Sequence, residues 1–290
     1  MLIPLSLAIR GIVEKEKTHA VFDGNRVFRV GRLTELKGAS EIYIDALFPQ
    51  IYDEVLELLR RGVRVYLLKD TTKLKKLRVE NNMRKSDEND AVLLARISSE
   101  VFRPLTTEEL EIKARMRLLI NKYERIVRWK KTLKKLVKDG FDYNFRESIR
   151  LMEADGKMLS EEIVRQVTSF PIYGEVYRRT CEILRVRRSV DLAILTLELP
   201  LYWPLQGLKG LLGLKPNKTE GLYSRRLRRH IIAFAVNLYM NVEKGMDASD
   251  EVIKIVNSLP RKKATFRLEL MTLKTLRIAY LMAVKPLAGG

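Results

Sequence analysis

The sequence predicts an α/β domain at the N-terminus followed by an all-α remainder. Up to about residue 98, short apolar runs alternate with turn residues, which is typical of strands and short helices. From about residue 106 onward, the apolar residues recur with the spacing of one helix face. With 46% hydrophobic residues over a length of 290, the chain has enough apolar side chains to build a packed core in both parts.

The α/β domain is predicted over residues 1–104 and opens with three strands. These strands cover residues 7–13, 18–22 and 27–30, and a turn at 23–25 joins the last two. The next elements are, in chain order, a strand at 41–45, a helix around 51–59, a strand at 63–68 and a helix at 87–97. Gly62 ends the first of these helices, and Ser86 is the candidate N-cap of the second. Three strands followed by strand, helix, strand and helix is the order of an RNase H-like domain, although other α/β folds begin in the same way.

One long helix is predicted over residues 106–138, within a coiled-coil and connector segment at 105–158. Glu108 and Glu109 lie in its first turn, where acids stabilise a helix. Its apolar residues form a heptad seam, with Lys130 as a polar break: Ile112, Met116, Leu119, Tyr123, Ile126, Leu133 and Val137. The seam predicts a coiled coil that pairs within a homodimer or larger assembly, or with the C-terminal helix. Residues 140–156 are predicted to form a polar connector.

Positive charge is the strongest compositional signal. The 55 Lys and Arg residues exceed the 36 Asp and Glu residues by 19, which favours a polyanionic partner, nucleic acid before an anionic membrane surface. The candidate phosphate-binding residues lie on the long helix and in the helical C-terminal domain, residues 159–290. They are Arg115, Arg117, Lys122, Arg125, Arg128, Lys131, Lys134, Lys135, Arg185, Arg187, Arg188, Arg225, Arg226, Arg228 and Arg229. Trp129, which lies off the heptad seam among these cations, is a candidate for stacking on bases.

Rare residue types exclude several classes of site and location. The one cysteine, Cys181, excludes an intramolecular disulfide and fits a reducing compartment, which favours the cytoplasm. The two histidines, His19 and His230, disfavour histidine-based metal or triad chemistry and are interpreted as structural residues. No membrane span is predicted, because Glu198, Lys209 and two prolines interrupt the most apolar stretch.

One motif points to a known family. Residues 85–95 read KSDENDAVLLA, and FRPL follows at 102–105. The first stretch resembles the K-[ST]-D-x-x-D-A-x-x-L-A motif of the DEDD, or RuvC-like, insertion-sequence transposases, the family of the Piv invertase and the bridge-RNA-guided recombinases. In it, Asp87 and Asp90 lie one helical turn apart, so that both carboxylates face one side. The stretch LLGLKP at 211–216 resembles the G-L-x-P step before the family's serine motif.

The resemblance implies four acids and a catalytic serine, and the sequence departs from both. Val13 stands at the first, metal-bridging acid, and the neighbouring Glu14 points to the opposite face of the strand. Thr219 or Glu220 stands at the serine position. The remaining acids are the candidate metal ligands of a vestigial catalytic site: Asp45, Asp87 and Asp90. Because a two-metal site needs a carboxylate shared between the ions, the expected cofactor is none, or Mg²⁺ if the site still functions.

These observations lead to one main hypothesis and two alternatives. The main hypothesis is a transposase-derived protein that binds nucleic acid within a ribonucleoprotein and has lost catalysis. Structured RNA is favoured over DNA because family members work with a guide RNA. One alternative is an active Mg²⁺-dependent, RNA-guided DNA transposase or recombinase in which Asp23 or Glu14 supplies the first acid. The other is a ribonucleoprotein scaffold like the box C/D proteins, or a ribosome-associated protein, by analogy of architecture alone.

Overall fold

The computed structural model describes residues 5–8, 18–47, 49–141, 144–215 and 223–284. The chain divides into two compact units, Met1–Arg115 and Met116–Gly290, whose boundary falls inside one long helix. The described part of the first unit combines a sheet with helices, and the described part of the second is helical. The prediction of an α/β part followed by an all-α part is confirmed at this level.

The first unit is built on one six-stranded sheet. Its strands are β1 (Leu5–Ala8), β2 (His19–Phe22), β3 (Val27–Val30), β4 (Glu41–Ile44), β5 (Arg64–Leu68) and β6 (Phe102–Pro104). Their order across the sheet is β3-β2-β1-β4-β5-β6, in which β1, β4 and β5 run parallel. β2 is antiparallel to both β1 and β3, and β6 is antiparallel to β5 at the other edge.

Three helices accompany this sheet. They are α1 (Tyr52–Arg60), α2 (Thr71–Glu80) and α3 (Asp87–Leu94). α1 buries Val55 and Leu58 on one face, as the apolar spacing predicts. Ser86 is the N-cap of α3, because its hydroxyl accepts a hydrogen bond from the backbone N–H of Asn89. The sequence predicts neither α2 nor β6, since α2 buries Leu74 but is otherwise mostly polar and β6 is three residues long.

The remaining helices belong mainly to the second unit. They are α4 (Thr107–Lys138), α5 (Phe145–Ser169), α6 (Pro171–Leu184), α7 (Val190–Glu198), α8 (Leu205–Leu211), α9 (Arg225–Glu243), α10 (Asp250–Ser258) and α11 (Arg261–Val284). The core of this unit centres on α7, in which residues 192–197 are all buried. α7 packs against α5 and α9, and α11 packs against α6 and α9. The boundary between the units falls in α4, after Arg115.

The heptad seam of α4 contacts α5. Residues 145–156, predicted as part of a polar connector, form the first half of that helix. A Cβ atom at Gly156 would lie 3.7 Å from Cγ2 of Ile126, so the two helices touch there. Glu153 lies 2.7 Å from Nζ of Lys134 and 3.8 Å from Nζ of Lys130. At these positions the seam therefore faces a helix of the same chain.

Two glycines of the second unit should respond in opposite ways to alanine. At Gly174 a Cβ atom would lie 2.4 Å from the backbone oxygen of Thr168, so Gly174→Ala should lower the free energy of unfolding by about 1–3 kcal/mol. At Gly156 a Cβ atom fits, and Gly156→Ala should raise that free energy by about 0.5–1 kcal/mol because alanine is the better helix former. Urea denaturation measures both effects. A destabilised Gly156→Ala variant would contradict the helical assignment of residues 145–156.

Candidate nucleic-acid interface

The exposed side of α4 is strongly basic. Ten lysines and arginines occupy residues 115–138, and Glu124 is the one acid in that stretch. Arg115 and Lys134 are exposed, whereas Arg117 is half-buried. Six further exposed cations form no ion pair within the described part of the chain and are termed the basic surface: Lys122, Arg125, Arg128, Lys131, Lys135 and Lys138. The direction in which Glu124 points decides whether this surface is uniformly positive.

Glu124 turns away from the basic surface and into the helical unit. Its Oε1 atom accepts a hydrogen bond from Nε of Arg226 at 2.7 Å and lies 2.9 Å from Nε2 of His230. Both partners lie on α9. Only 14% of the Glu124 side chain is exposed. The one acid of residues 115–138 is therefore neutralised by α9, and it leaves the basic surface without a carboxylate from that stretch of the helix.

Two acids of α7 complete this arrangement. Oδ1 of Asp191 lies 2.8 Å from Nδ1 of His230, and Glu198 accepts two hydrogen bonds from Arg226, at 3.0 and 3.3 Å. Each ring nitrogen of His230 faces a carboxylate oxygen, and only the imidazolium can donate to both. The five residues are termed the ion network: Glu124, Asp191, Glu198, Arg226 and His230.

Opposing effects set the pKa values inside the ion network. Burial disfavours the protonated form of His230, but the hydrogen bonds and charges of Asp191 and Glu124 outweigh it and raise its pKa above 6.5. Burial acts against ionisation of Glu124 too, yet His230 and Arg226 hold the pKa of this carboxyl below its ordinary value. Burial raises the pKa of the adjacent Tyr123 to about 12. These shifts favour a protonated His230 beside an ionised Glu124.

The predicted arginine cluster at the start of α9 divides between surface and interior. Arg225 and Arg229 are exposed. Arg226 belongs to the ion network, and Arg228 binds the carboxylate of Glu269, which is 4% exposed, on α11. Successive helix positions point in different directions, so a run of this length cannot face solvent as a whole. Arg226 and Arg228 therefore hold α9 against its neighbours, and Arg225 and Arg229 remain candidates for contact with phosphates.

The cluster between α6 and α7 is exposed at all three predicted positions. Arg185 ends α6 in the left-handed region, with a φ of 49°, and its guanidinium lies 3.7 Å from Asp250. Arg187 and Arg188 follow it on the surface. These side chains and the basic surface both belong to the second unit, which begins at Met116. The three arginines are further candidates for contact with phosphates.

The predicted metal ligands lie at the end of one strand and in the first turn of one helix. Asp45 follows β4, and Asp87 and Asp90 lie in the first turn of α3. Asp90 is 7% exposed and pairs with Arg78 of α2, whose Nε atom lies 3.0 Å from its Oδ1 atom. Burial raises the pKa of Asp90, against the opposing charges of Arg78 and Lys85. No three described His, Cys, Asp or Glu side chains are grouped so that they could hold a metal ion.

Two positions of the predicted catalytic site have no described structure. The position of the first acid, Val13, and the position of the serine, Thr219 or Glu220, lie outside the described residues. Within the described ranges, each helix is too short or too polar to cross a bilayer.

Comparison with known proteins assigns no family to this chain. No family model matches the sequence, and no curated protein is significantly similar to it. The likeness of residues 85–95 to a transposase motif therefore rests on the sequence of that stretch alone.

Sequence reasoning missed the ion network as a unit. It interpreted His230 as a structural residue, which agrees with its buried position, but it assigned no partner to it. The available signal was Glu124, because a single acid among ten cations, next to the seam residue Tyr123, is well placed to turn inward. Its partners on α7 and α9 are distant in sequence, and no local pattern identifies them.

The two histidines should titrate on opposite sides of their ordinary pKa of 6.5. The pKa of His230 is raised by its two carboxylates, whereas burial lowers that of His19 despite the nearby Glu54. The contribution of His230 to stability is therefore fully present below pH 6.5 and is lost as the pH rises through its folded-state pKa. The contribution of His19 to stability is lost as the pH falls from 6.5 through the folded-state pKa of His19.

Imidazole NMR resonances followed from about pH 5 to about pH 9 measure both pKa values directly. His230→Gln should lower the free energy of unfolding by about 2–4 kcal/mol and remove the loss of stability above pH 6.5. His19→Gln is the control, and it should remove a pH dependence of the opposite sign. A His230 resonance that titrates below pH 6.5 would contradict the ion network.

Proposed function

We propose that this protein binds structured RNA through the basic surface of α4, within a ribonucleoprotein and without cleaving the RNA. The observation that carries the proposal is the inward orientation of Glu124. The only acid among the ten cations of residues 115–138 is turned into the interior, so the exposed charges of that stretch all have the same sign. A surface of this kind attracts a polyanion and releases its counterions when it binds.

The positions of the cations favour a ligand over a purely structural role. Lys135 and Lys138 lie in the last turn of α4, where positive charge stabilises a helix by opposing its dipole. Lys122, Arg125, Arg128 and Lys131 lie further from that end, where the dipole effect has faded. Residues 122–138 span about 24 Å at 1.5 Å per residue, a length along which a nucleic acid presents several phosphates.

The first unit supports descent from the DEDD transposases. The chain order behind the RNase H-like interpretation, three strands followed by alternating strands and helices, recurs in β1 to β5 with α1 between β4 and β5. The motif helix α3 follows with Ser86 as its N-cap. β6, which pairs antiparallel with β5, was not part of the expectation.

Loss of catalysis is supported by the surroundings of Asp90. Its carboxylate is buried and paired with Arg78, and a carboxylate held by a guanidinium is a poor ligand for Mg²⁺. Val13 replaces the acid that would be shared between two ions.

The contact of α5 with Ile126 means that the seam of α4 is covered there without a second copy of the chain.

Removing charge from the basic surface should weaken RNA binding in a salt-dependent way. We expect Arg125→Gln, Arg128→Gln and Lys131→Gln together to reduce the slope of log K against log[salt] by about 2–3, because each cation that contacts a phosphate contributes about 0.7–0.9. Fluorescence anisotropy with a labelled hairpin RNA, measured over a range of salt concentrations, gives the slope.

A second triple variant separates the basic surface from net charge. Arg61, Arg165 and Arg178 are exposed, but each pairs with a glutamate three or four residues away on its own helix or at its end. Arg61→Gln, Arg165→Gln and Arg178→Gln remove the same number of charges and should leave the slope nearly unchanged. Equal losses in the two triple variants, or a flat salt dependence for the wild type, would refute binding through the basic surface.

Catalysis is tested with Mg²⁺. We expect the wild-type protein and Asp87→Ala to leave RNA and DNA substrates uncut over a Mg²⁺ titration and to bind RNA with equal affinity, because the acids of α3 are not used for metal binding. Gel electrophoresis of end-labelled substrates gives the readout. Cleavage by the wild type that Asp87→Ala abolishes would establish the active-recombinase alternative instead.

A further inference from the structure

Trp129 is exposed in the middle of the basic helix. Its side chain is 54% exposed, although tryptophan side chains are on average highly buried in folded proteins. The chain has two tryptophans, and the other one, Trp203, is half-buried with its ring against Gly207. Trp203 has a packing role, whereas Trp129 presents much of its indole to solvent.

The exposed neighbours of Trp129 on the helix surface are cationic and polar. Arg125 lies four residues before it and Thr132 three residues after it, the spacings at which side chains on a helix adjoin. Lys122 lies a further turn back along the same side. Ile126 and Leu133 also adjoin Trp129, three residues before it and four after it, but both belong to the heptad seam and are half-buried. The exposed part of the indole therefore lies beside Arg125, Lys122 and Thr132, which are groups able to bind phosphates.

We infer that Trp129 stacks on an unpaired base, so that the RNA which fits this surface has a single-stranded loop or tail. The inference rests on the proposed function and names the class of RNA. A duplex covers both faces of every internal base and offers only phosphates and groove edges to a helix. An unpaired base offers a free face to the indole while the flanking phosphates lie near Arg125 and Lys122.

Trp129→Ala should weaken binding of a hairpin RNA with a loop of about eight nucleotides by roughly 5- to 100-fold, because base–aromatic stacking accounts for that range. The same variant should bind a duplex of the same stem sequence as well as the wild type does. Trp129→Phe should keep most of the affinity, since phenylalanine also stacks. Leu118→Ala is the matched control, because it removes another exposed apolar side chain, 67% exposed, from the same helix.

Intrinsic fluorescence gives a second readout that does not depend on affinity. Loop RNA should quench the wild-type emission, and the quenching should disappear in Trp129→Phe, where only Trp203 still emits. Salt-dependent binding with no quenching and an unchanged affinity in Trp129→Ala would overturn the inference and leave the proposed function intact. Equal losses for hairpin and duplex would overturn the preference for an unpaired base. Absence of salt-dependent binding to any RNA would instead remove the proposed function itself.

Discussion

The orientation of α4 depends on the hydrogen bonds that Glu124 makes with His230 and Arg226. Glu124 precedes Arg128 by four residues, the spacing at which an exposed glutamate pairs with a cation on its own helix. Its carboxylate instead binds α9, whose two cations also bind Asp191 and Glu198 on α7. The ion network thus fixes the rotation of α4 about its axis. Because buried charges are costly to desolvate, we interpret the network as specifying this geometry more than as adding stability.

Two groups of exposed cations in the chain have different physical roles. Arg165, Arg178 and Arg179 have a glutamate three or four residues away, and these pairs change the local field little. The cations of the basic surface repel one another, which opposes folding, and a bound polyanion would relieve this repulsion. Lys130 and Lys134 are intermediate, because Glu153 of α5 offsets part of their charge.

The sequence predicts those elements whose signal is local. β2 to β5, α1, α3 and α4 follow from apolar periodicity, and Ser86 follows from its position before the acids of α3. The start of α5 lacks such a signal, because a mid-helix glycine and exposed polar side chains interrupt its apolar spacing. Its contact with Ile126 stabilises the helix there. The division of the α9 arginines is also set by tertiary packing. Arg226 and Arg228 face inward because Glu198 and Glu269 lie there.

Under the proposed function, the pairing of Asp90 with Arg78 would account for a loss of catalysis that leaves the fold intact. A cluster of carboxylates is stable only when a cation offsets their mutual repulsion, and in a metal enzyme the ion has that role. Here a guanidinium from α2 lies against Asp90, so α2 and α3 are held together by a protein group. The basic surface and the ion network belong to the second unit, whereas Asp87 and Asp90 belong to the first. Under the proposed function, binding to nucleic acid would therefore persist while these acids serve as packing groups.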